Sequence, residues 1–235
     1  MSEIPSTGEG REARREGRRR RAAIAALSLV AVGFAPWTLS RADPPQEIIL
    51  LNYDVRWGPF RLMSIESRTV LGDERYEMGM KVRTEGMVGW FVDWSSRVET
   101  QGVLVADRPR PVRRVVSAEY EGVHQGVTIE YGKEGPLRVD VAPDLSSEGL
   151  VAVDPELRVG TIDPETATLL IIRRNAAGQP CTGLEQVFDG RLRYDLELAD
   201  AGSRALELNE PIVYAGPARP CGATVRPVAG YPREH

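Results

Sequence analysis

From Leu51 onward the chain alternates. Leu51, Tyr53, Val55 and Trp57 fall on one side, Asn52, Asp54 and Arg56 on the other. Period two of this kind marks a strand with one face buried and one wet. Gly58-Pro59 turns the chain, and a second alternating run follows from Arg61 to Leu71, with Met63 and Ile65 inward. After Gly72-Asp73, a third strand sets Tyr76, Met78, Met80 and Val82 against Glu77, Lys81, Arg83 and Glu85. The methionine pair reads as core, with a soft ligand surface as the alternative. Further strands are predicted over 95–105, 111–120, 123–131 and 137–141, with turn signals at 107–111, Glu121-Gly122 and 132–136. Regular strand spacing with short connections argues an antiparallel meander. Paired helical patterns are absent between these strands, which argues against a doubly wound parallel sheet.

Two stretches break the alternation. Gly86-Met87-Val88-Gly89-Trp90-Phe91-Val92-Asp93-Trp94 combines glycines that allow a bend with aromatics that offer contact area. It is either a hydrophobic lip at the mouth of a ligand cavity or a wide corner with tryptophan packed beneath it. Residues 143–160 read as a long loop lying over the sheet. That loop ends in a helix start: Asp163 as cap, Pro164 in the first turn, Glu165 at the positive end of the dipole. Ala167, Leu170 and Ile171 share a face that Leu169 and Ile172 widen. Arg173 and Arg174 suit the other end, and Gly178 with Pro180 stops the helix. Such a stripe needs cover, and the concave face of the sheet is the expected cover. Beyond Cys181-Thr182-Gly183 a charged strand is expected, with Leu192, Tyr194, Leu196 and Leu198 on one face and Arg191, Arg193, Asp195 and Glu197 on the other. A last strand over 205–214 leads to Pro220-Cys221 and a Pro/Gly-rich tail. The predicted fold is mainly β: a curved antiparallel sheet or open β-barrel (half-barrel), with one packed helix at about 163–175.

Charge divides the chain. Residues 1–42 hold eight Arg and four Glu, a net of +4, against −4 for all 235 residues. That leaves about −8 for residues 43–235, an acidic body that argues against nucleic-acid partners. The block from Arg11 to Arg21, the apolar run from Ala22 to Trp37 and the small residues of Ser40-Arg41-Ala42 have the layout of a secretory signal. A Sec-type signal fits better than a twin-arginine one, because no matching polar-aromatic pattern follows the arginines. The apolar run is short for a bilayer span, which needs roughly 20 residues. Residues 1–42 are therefore expected to be a signal peptide and residues 43–235 one β-rich periplasmic domain, peripheral to the membrane at most. An uncleaved inner-membrane anchor is the minority alternative. In an oxidising compartment Cys181 and Cys221 read as one disulfide. Metal binding lacks ligands, since the histidines are His124 and the terminal His235.

Catalytic patterns are thin. His124 lies in the turn-like Gly122-Val123-His124-Gln125-Gly126, and no G-x-S-x-G elbow, P-loop or dinucleotide fingerprint occurs. No catalytic, cofactor-binding or metal-binding residue is assigned, and no cofactor is expected. Asp93, Glu99, Asp189 and Asp195 are the carboxylates to consider for glycoside chemistry. Trp90, Phe91, Trp94, Arg191 and Arg193 are the candidate ligand or partner surface. The arginines suit an anionic headgroup, although cross-strand charge pairing is the simpler account.

Tyr53-Asp54-Val55-Arg56-Trp57-Gly58, the glycine-tryptophan corner, Gly160-Thr161-Ile162-Asp163-Pro164, and Pro180-Cys181-Thr182-Gly183 followed by Val187-Phe188-Asp189-Gly190-Arg191-Leu192-Arg193-Tyr194-Asp195-Leu196 occur together. In combination they resemble the bacterial exported proteins grouped as domain of unknown function 3108, over roughly residues 47–230. The resemblance implies a β-rich envelope protein without an assigned activity. At the level of fold the chain is also similar to envelope-integrity proteins with a spiral β-sheet and one disulfide. Relatives are expected to carry another strand or two after the equivalent of Val225–Gly230, so the barrel here would lack closing strands and leave an exposed edge. Three functions follow as expectations. The first is a non-catalytic periplasmic binding or scaffolding module supporting envelope integrity, with an apolar or lipid-like ligand or an envelope protein partner. The second is a carboxylate-dependent cell-wall glycan hydrolase. The third is a structural partner that uses its open edge for strand addition.

Overall fold

Alternation from Glu47 to Ala142 becomes β1 (Glu47–Trp57), β2 (Phe60–Leu71), β3 (Arg75–Thr84), β4 (Trp94–Val105), β5 (Arg108–Tyr120), β6 (Val123–Gly132) and β7 (Gly135–Ala142). They pair in chain order as one antiparallel seven-stranded sheet that does not close into a barrel. The computed structural model describes residues 46–206, apart from 88, 90 and 107, together with residues 215–232. The expected signal segment, Trp90 and most of the expected strand 205–214 lie outside the described residues.

Directly opposed residues of an antiparallel pair share a face, so the register sorts the side chains. One row crosses the sheet as Ile49, Thr69, Met78, Thr100, Arg114, Ile129 and Val139. The next row on that face is Leu51, Ser67, Met80, Val98, Val116, Val127 and Val141. The opposite face carries Glu66, Lys81, Arg97 and Glu99, with Lys81 3.7 Å from Glu66. The apolar face is where the rest of the chain packs.

Asp163 caps α2 (Pro164–Ala176) by accepting from the Thr166 N–H, close to the expected helix. The helix contacts β4 and β5 of the large sheet and β8 (Gly183–Phe188). With β9 (Arg193–Asp200) and β12 (Cys221–Ala229), β8 forms a second antiparallel sheet ordered β12-β9-β8. Phe188 of β8 and Val153 pack on Val127 and Ile129, with Val116, Val139 and Ala229 around them. The main core therefore lies between the small sheet and the β5–β7 end of the large one. β10 (Arg204–Leu206) and β11 (Gly216–Ala218) form a separate short ladder.

Several details differ from the sequence reading. The expected Pro/Gly-rich tail is the strand β12, an edge position that tolerates Pro227 beside a register shift. The long loop holds a 3-10 turn at Leu145–Glu148 and a one-turn helix α1 (Pro155–Arg158). It lies over the sheet as expected, since Val153 belongs to the core cluster. Arg158 spans this region, donating to the Val153 carbonyl and stacking 5.3 Å over Phe188. Cys181 and Cys221 form a disulfide with Cα atoms 5.6 Å apart, tying the stretch before β8 to the start of β12.

Candidate functional site

The N-terminus of α2 carries a buried cluster of charged and polar side chains. Asp163 is fully enclosed, and Thr166 gives it both the backbone N–H (2.8 Å) and the side-chain hydroxyl (2.6 Å). Thr166 has one hydroxyl proton. With that proton on Asp163, the Tyr76 hydroxyl must be the donor across its 2.6 Å contact with Thr166. Glu165 turns into the sheet, where Arg114 of β5 meets it at 2.7 Å through Nε and 3.2 Å through Nη2. The remaining Arg114 nitrogen donates to the Asp189 carbonyl at 2.8 Å. Thr100 of β4 reaches Asp163 at 3.3 Å and Glu165 at 3.4 Å. The hydroxyl of Tyr131, close enough to feel the Asp163 charge, has no hydrogen-bond partner among the described residues.

Two carboxylates and one guanidinium leave an excess negative charge in a buried site. Burial pushes the Asp163 carboxyl up to about 6, and the neighbouring Glu165 charge adds to this against the Thr166 hydrogen bonds and Arg114. Glu165 suffers the same burial. Its Arg114 hydrogen bonds and charge outweigh that cost and hold it below the usual glutamate range. Burial, then the Asp163 charge, raises both Tyr76 and Tyr131, which remain neutral phenols. Divergent carboxyls of this kind occur in acid–base catalysis. Here Tyr76, Thr100, Arg114, Asp163, Glu165 and Thr166 are each at most 8% exposed, so a bulky substrate has no open approach. The arrangement works as a polar lock between helix and sheet.

A different surface is open. The turns β1–β2, β3–β4 and β5–β6 lie at one end of the sheet, as the Glu85 N–H to Leu62 carbonyl and Glu121 N–H to Asp93 carbonyl bonds show. They bring together Trp57 and Phe60, then Met87 and Phe91, then Tyr120 and Val123, all exposed. Trp57 and Phe91 are 78% and 79% exposed. The rim continues along the apolar face of β1, where Leu51, Tyr53 and Val55 are 42%, 50% and 36% exposed. An exposed apolar run of this extent marks an interaction surface. The opposite, polar face holds a hollow of about 500 Å³ around Gly79, bounded by Glu66, Arg68, Lys81, Arg97 and Glu99. Its walls alternate in sign and pair with each other, Lys81 with Glu66 and Arg97 with Glu99.

The residues expected from sequence are dispersed. Phe91 stands on the apolar rim, and Trp94 is half-buried beside it, its backbone N–H on the Thr84 hydroxyl. Trp90 lies outside the described residues. Arg193 does not face an open surface. It is buried, donating to the Leu157 carbonyl at 3.0 Å and to Asp195 at 2.7 Å. Arg191 donates to the Ala142 carbonyl. Among the four carboxylates, Asp93 is exposed before β4 and Glu99 lies on the polar face of β4. Asp189 accepts the Arg191 and Leu192 N–H groups, and Asp195 pairs with Arg193. His124 is exposed, 3.8 Å from Glu119. Among the described residues no group of His, Cys, Asp and Glu is placed to hold a metal ion, and no helix is long and apolar enough to cross a membrane. The lock was not foreseen, although one signal was available: Thr100 and Arg114 share the parity of the apolar Val98 and Val116.

A family model described as a protein of unknown function (DUF3108) matches residues 52–227. No curated protein and no solved structure matches the chain.

Proposed function

Because the chain belongs to the DUF3108 family and keeps one end of its sheet apolar and uncovered, we propose that it is a non-catalytic envelope module holding an apolar, lipid-like ligand. The observation that carries this reading is the rim of Trp57, Phe60, Met87, Phe91, Tyr120 and Val123, continuous with Leu51, Tyr53 and Val55. An acyl chain laid there gains about 0.8 kcal/mol per buried methylene, less the cost of ordering it on the surface, and the affinity of a single myristoyl chain for a membrane sets the scale, a dissociation constant of about 100 μM. The half-buried Met63, Met78 and Met80 beside this strip can adapt to varied chains. The buried lock supports the reading by fixing α2, so that the helix holds the covered part of the face and leaves the rest free. A periplasmic location is supported by the leader pattern of residues 1–42 and by the disulfide, which suits an oxidising compartment. A glycan hydrolase would need two carboxylates facing a common cleft. Asp93, Glu99, Asp189 and Asp195 have separate surroundings, and Asp163 with Glu165 is sealed.

The test is titration with a fluorescent fatty-acyl probe. Saturable binding on the order of 100 μM, weakened at least tenfold by Tyr53→Asp with the fold retained, is the expected result. Absence of saturable binding, or binding indifferent to Tyr53→Asp and Phe91→Asp alike, would reject the proposal.

A further inference from the structure

Strand β1 is an unprotected edge. It is eleven residues long and pairs with β2 on one side. Among the described residues no strand pairs with its other side. Natural edge strands are blunted by proline, lysine, shortness or a covering element. Between Glu47 and Trp57 there is neither Pro nor Lys; the charges are Glu47 at the start and Asp54 and Arg56 near the end, where the register also shifts between Val55 and Arg56, and Ile48 to Tyr53 carry no charge. Both faces of the strand expose apolar side chains: Leu51, Tyr53 and Val55 on the apolar face, and Ile48 and Leu50 on the face that also carries Asn52, Asp54 and Arg56. The other edges are treated differently. β12 carries Pro227. The β7 end of the sheet is engaged by the Gly160 N–H on the Glu134 carbonyl and by Arg191 on the Ala142 carbonyl.

We propose that β1 is an isologous dimer edge, pairing antiparallel with β1 of a second copy about a two-fold axis at Asn52. Three observations select this occupant and register. Asn52 is the midpoint of Glu47–Trp57, so centring there uses the whole strand. With Asn52 opposite itself, Leu51 faces Tyr53 of the other copy and Ile49 faces Val55, joining the two apolar faces side by side. On the reverse face Leu50 meets Asp54 and Ile48 meets Arg56, so no like charges stand opposite each other, the pairing that costs most in a ladder. A two-fold axis normal to the sheet keeps the apolar sides of both copies together, as a closed symmetric dimer requires. The result is one fourteen-stranded sheet from two seven-stranded ones, in which the exposed β1 strips become adjacent. The dimer stands independently of the ligand reading, because it depends on backbone pairing and register.

Cysteine crosslinking on the full-length chain tests it. Asn52→Cys places the new thiol on the axis, where opposed Cα atoms lie about 4.5–5.5 Å apart, within disulfide reach. Glu47→Cys places its thiols about 33 Å apart, ten residues of strand rise. Sedimentation should show a dimer for the native chain, and mild oxidation should give a covalent dimer for Asn52→Cys and none for Glu47→Cys. Asn52→Lys sets two ammonium groups face to face and should weaken the dimer at least tenfold with unchanged circular dichroism. A monomer at high micromolar concentration overturns the proposal. So does a dimer that Asn52→Cys fails to crosslink, or an Asn52→Cys adduct formed with another protein only.

Discussion

Replacing Arg114 with Met tests the polar lock where it is most exposed to error. The native guanidinium makes bonds of 2.7 and 3.2 Å to Glu165 and one of 2.8 Å to the Asp189 carbonyl. Methionine fills much of the same volume but leaves Glu165 and Asp163 without a cation in a buried site. Breaking one side of a buried ion pair costs about 3–5 kcal/mol, roughly 6–20 °C in Tm for a domain of this size. The cost depends on pH in a direction that can be derived. In the native chain the Glu165 carboxyl is held below its ordinary range, so its contribution is present above the unfolded value and lost as pH falls through the folded one. Without Arg114 the largest influence left on it is burial, opposed by weaker hydrogen bonds, so the folded value moves up and the variant gains less stability, or loses it, as pH rises. The deficit is therefore larger at pH 8 than at pH 5. Urea unfolding at both values, with the disulfide intact, measures it. Arg114→Met with Glu165→Leu removes both charges and should recover most of the loss, since a well-packed apolar pair often replaces a buried ion pair at little cost. A single variant costing under about 1 kcal/mol, or a double variant no more stable than the single, refutes the lock.

Asp163 supplies the next prediction. Its folded pKa of about 6 lies above the unfolded value, so its stabilisation is complete below that unfolded value and lost as pH rises through 6. Native stability should fall between about pH 4 and pH 6, by up to ~1.4 kcal/mol per pH unit, and level off above, and Asp163→Asn should flatten that slope; an unchanged slope contradicts the assignment. Gly102 lies against Tyr76, whose ring a Cβ there would overlap. Gly102→Ala should therefore cost about 3 kcal/mol by overpacking, and a neutral thermal melt would show that Tyr76 is free to move. Cys181→Ser with Cys221→Ser should cost about 2–4 kcal/mol for the loop it opens, and alkylation of the native protein should find no free thiol.

Much of the fold was legible because period-two patterning survives translation into a sheet. β1 to β7 follow their alternation, and α2 begins at the cap that Asp163-Pro164-Glu165 announces. β12 was misread, because Pro227 and the flanking glycines look like a tail until β9 is seen beside them. The lock was hidden for another reason. Arg114 meets Glu165 across 51 residues and Tyr76 meets Thr166 across 90, and local patterning carries no information at that separation. Arg193 shows the same limit. Its alternation with Tyr194 suggested a charged outer face, yet α1 and Asp195 enclose it. The apolar rim was partly visible in Phe91. That it gathers three hairpin turns is a property of the sheet.

Native mass spectrometry of the protein released gently from cells tests whether the exposed apolar end of the sheet holds a ligand. A bound lipid-like species that organic extraction removes and that Tyr53→Asp strongly depletes is the expected result. A chain that is persistently empty under conditions preserving other apolar complexes would contradict it.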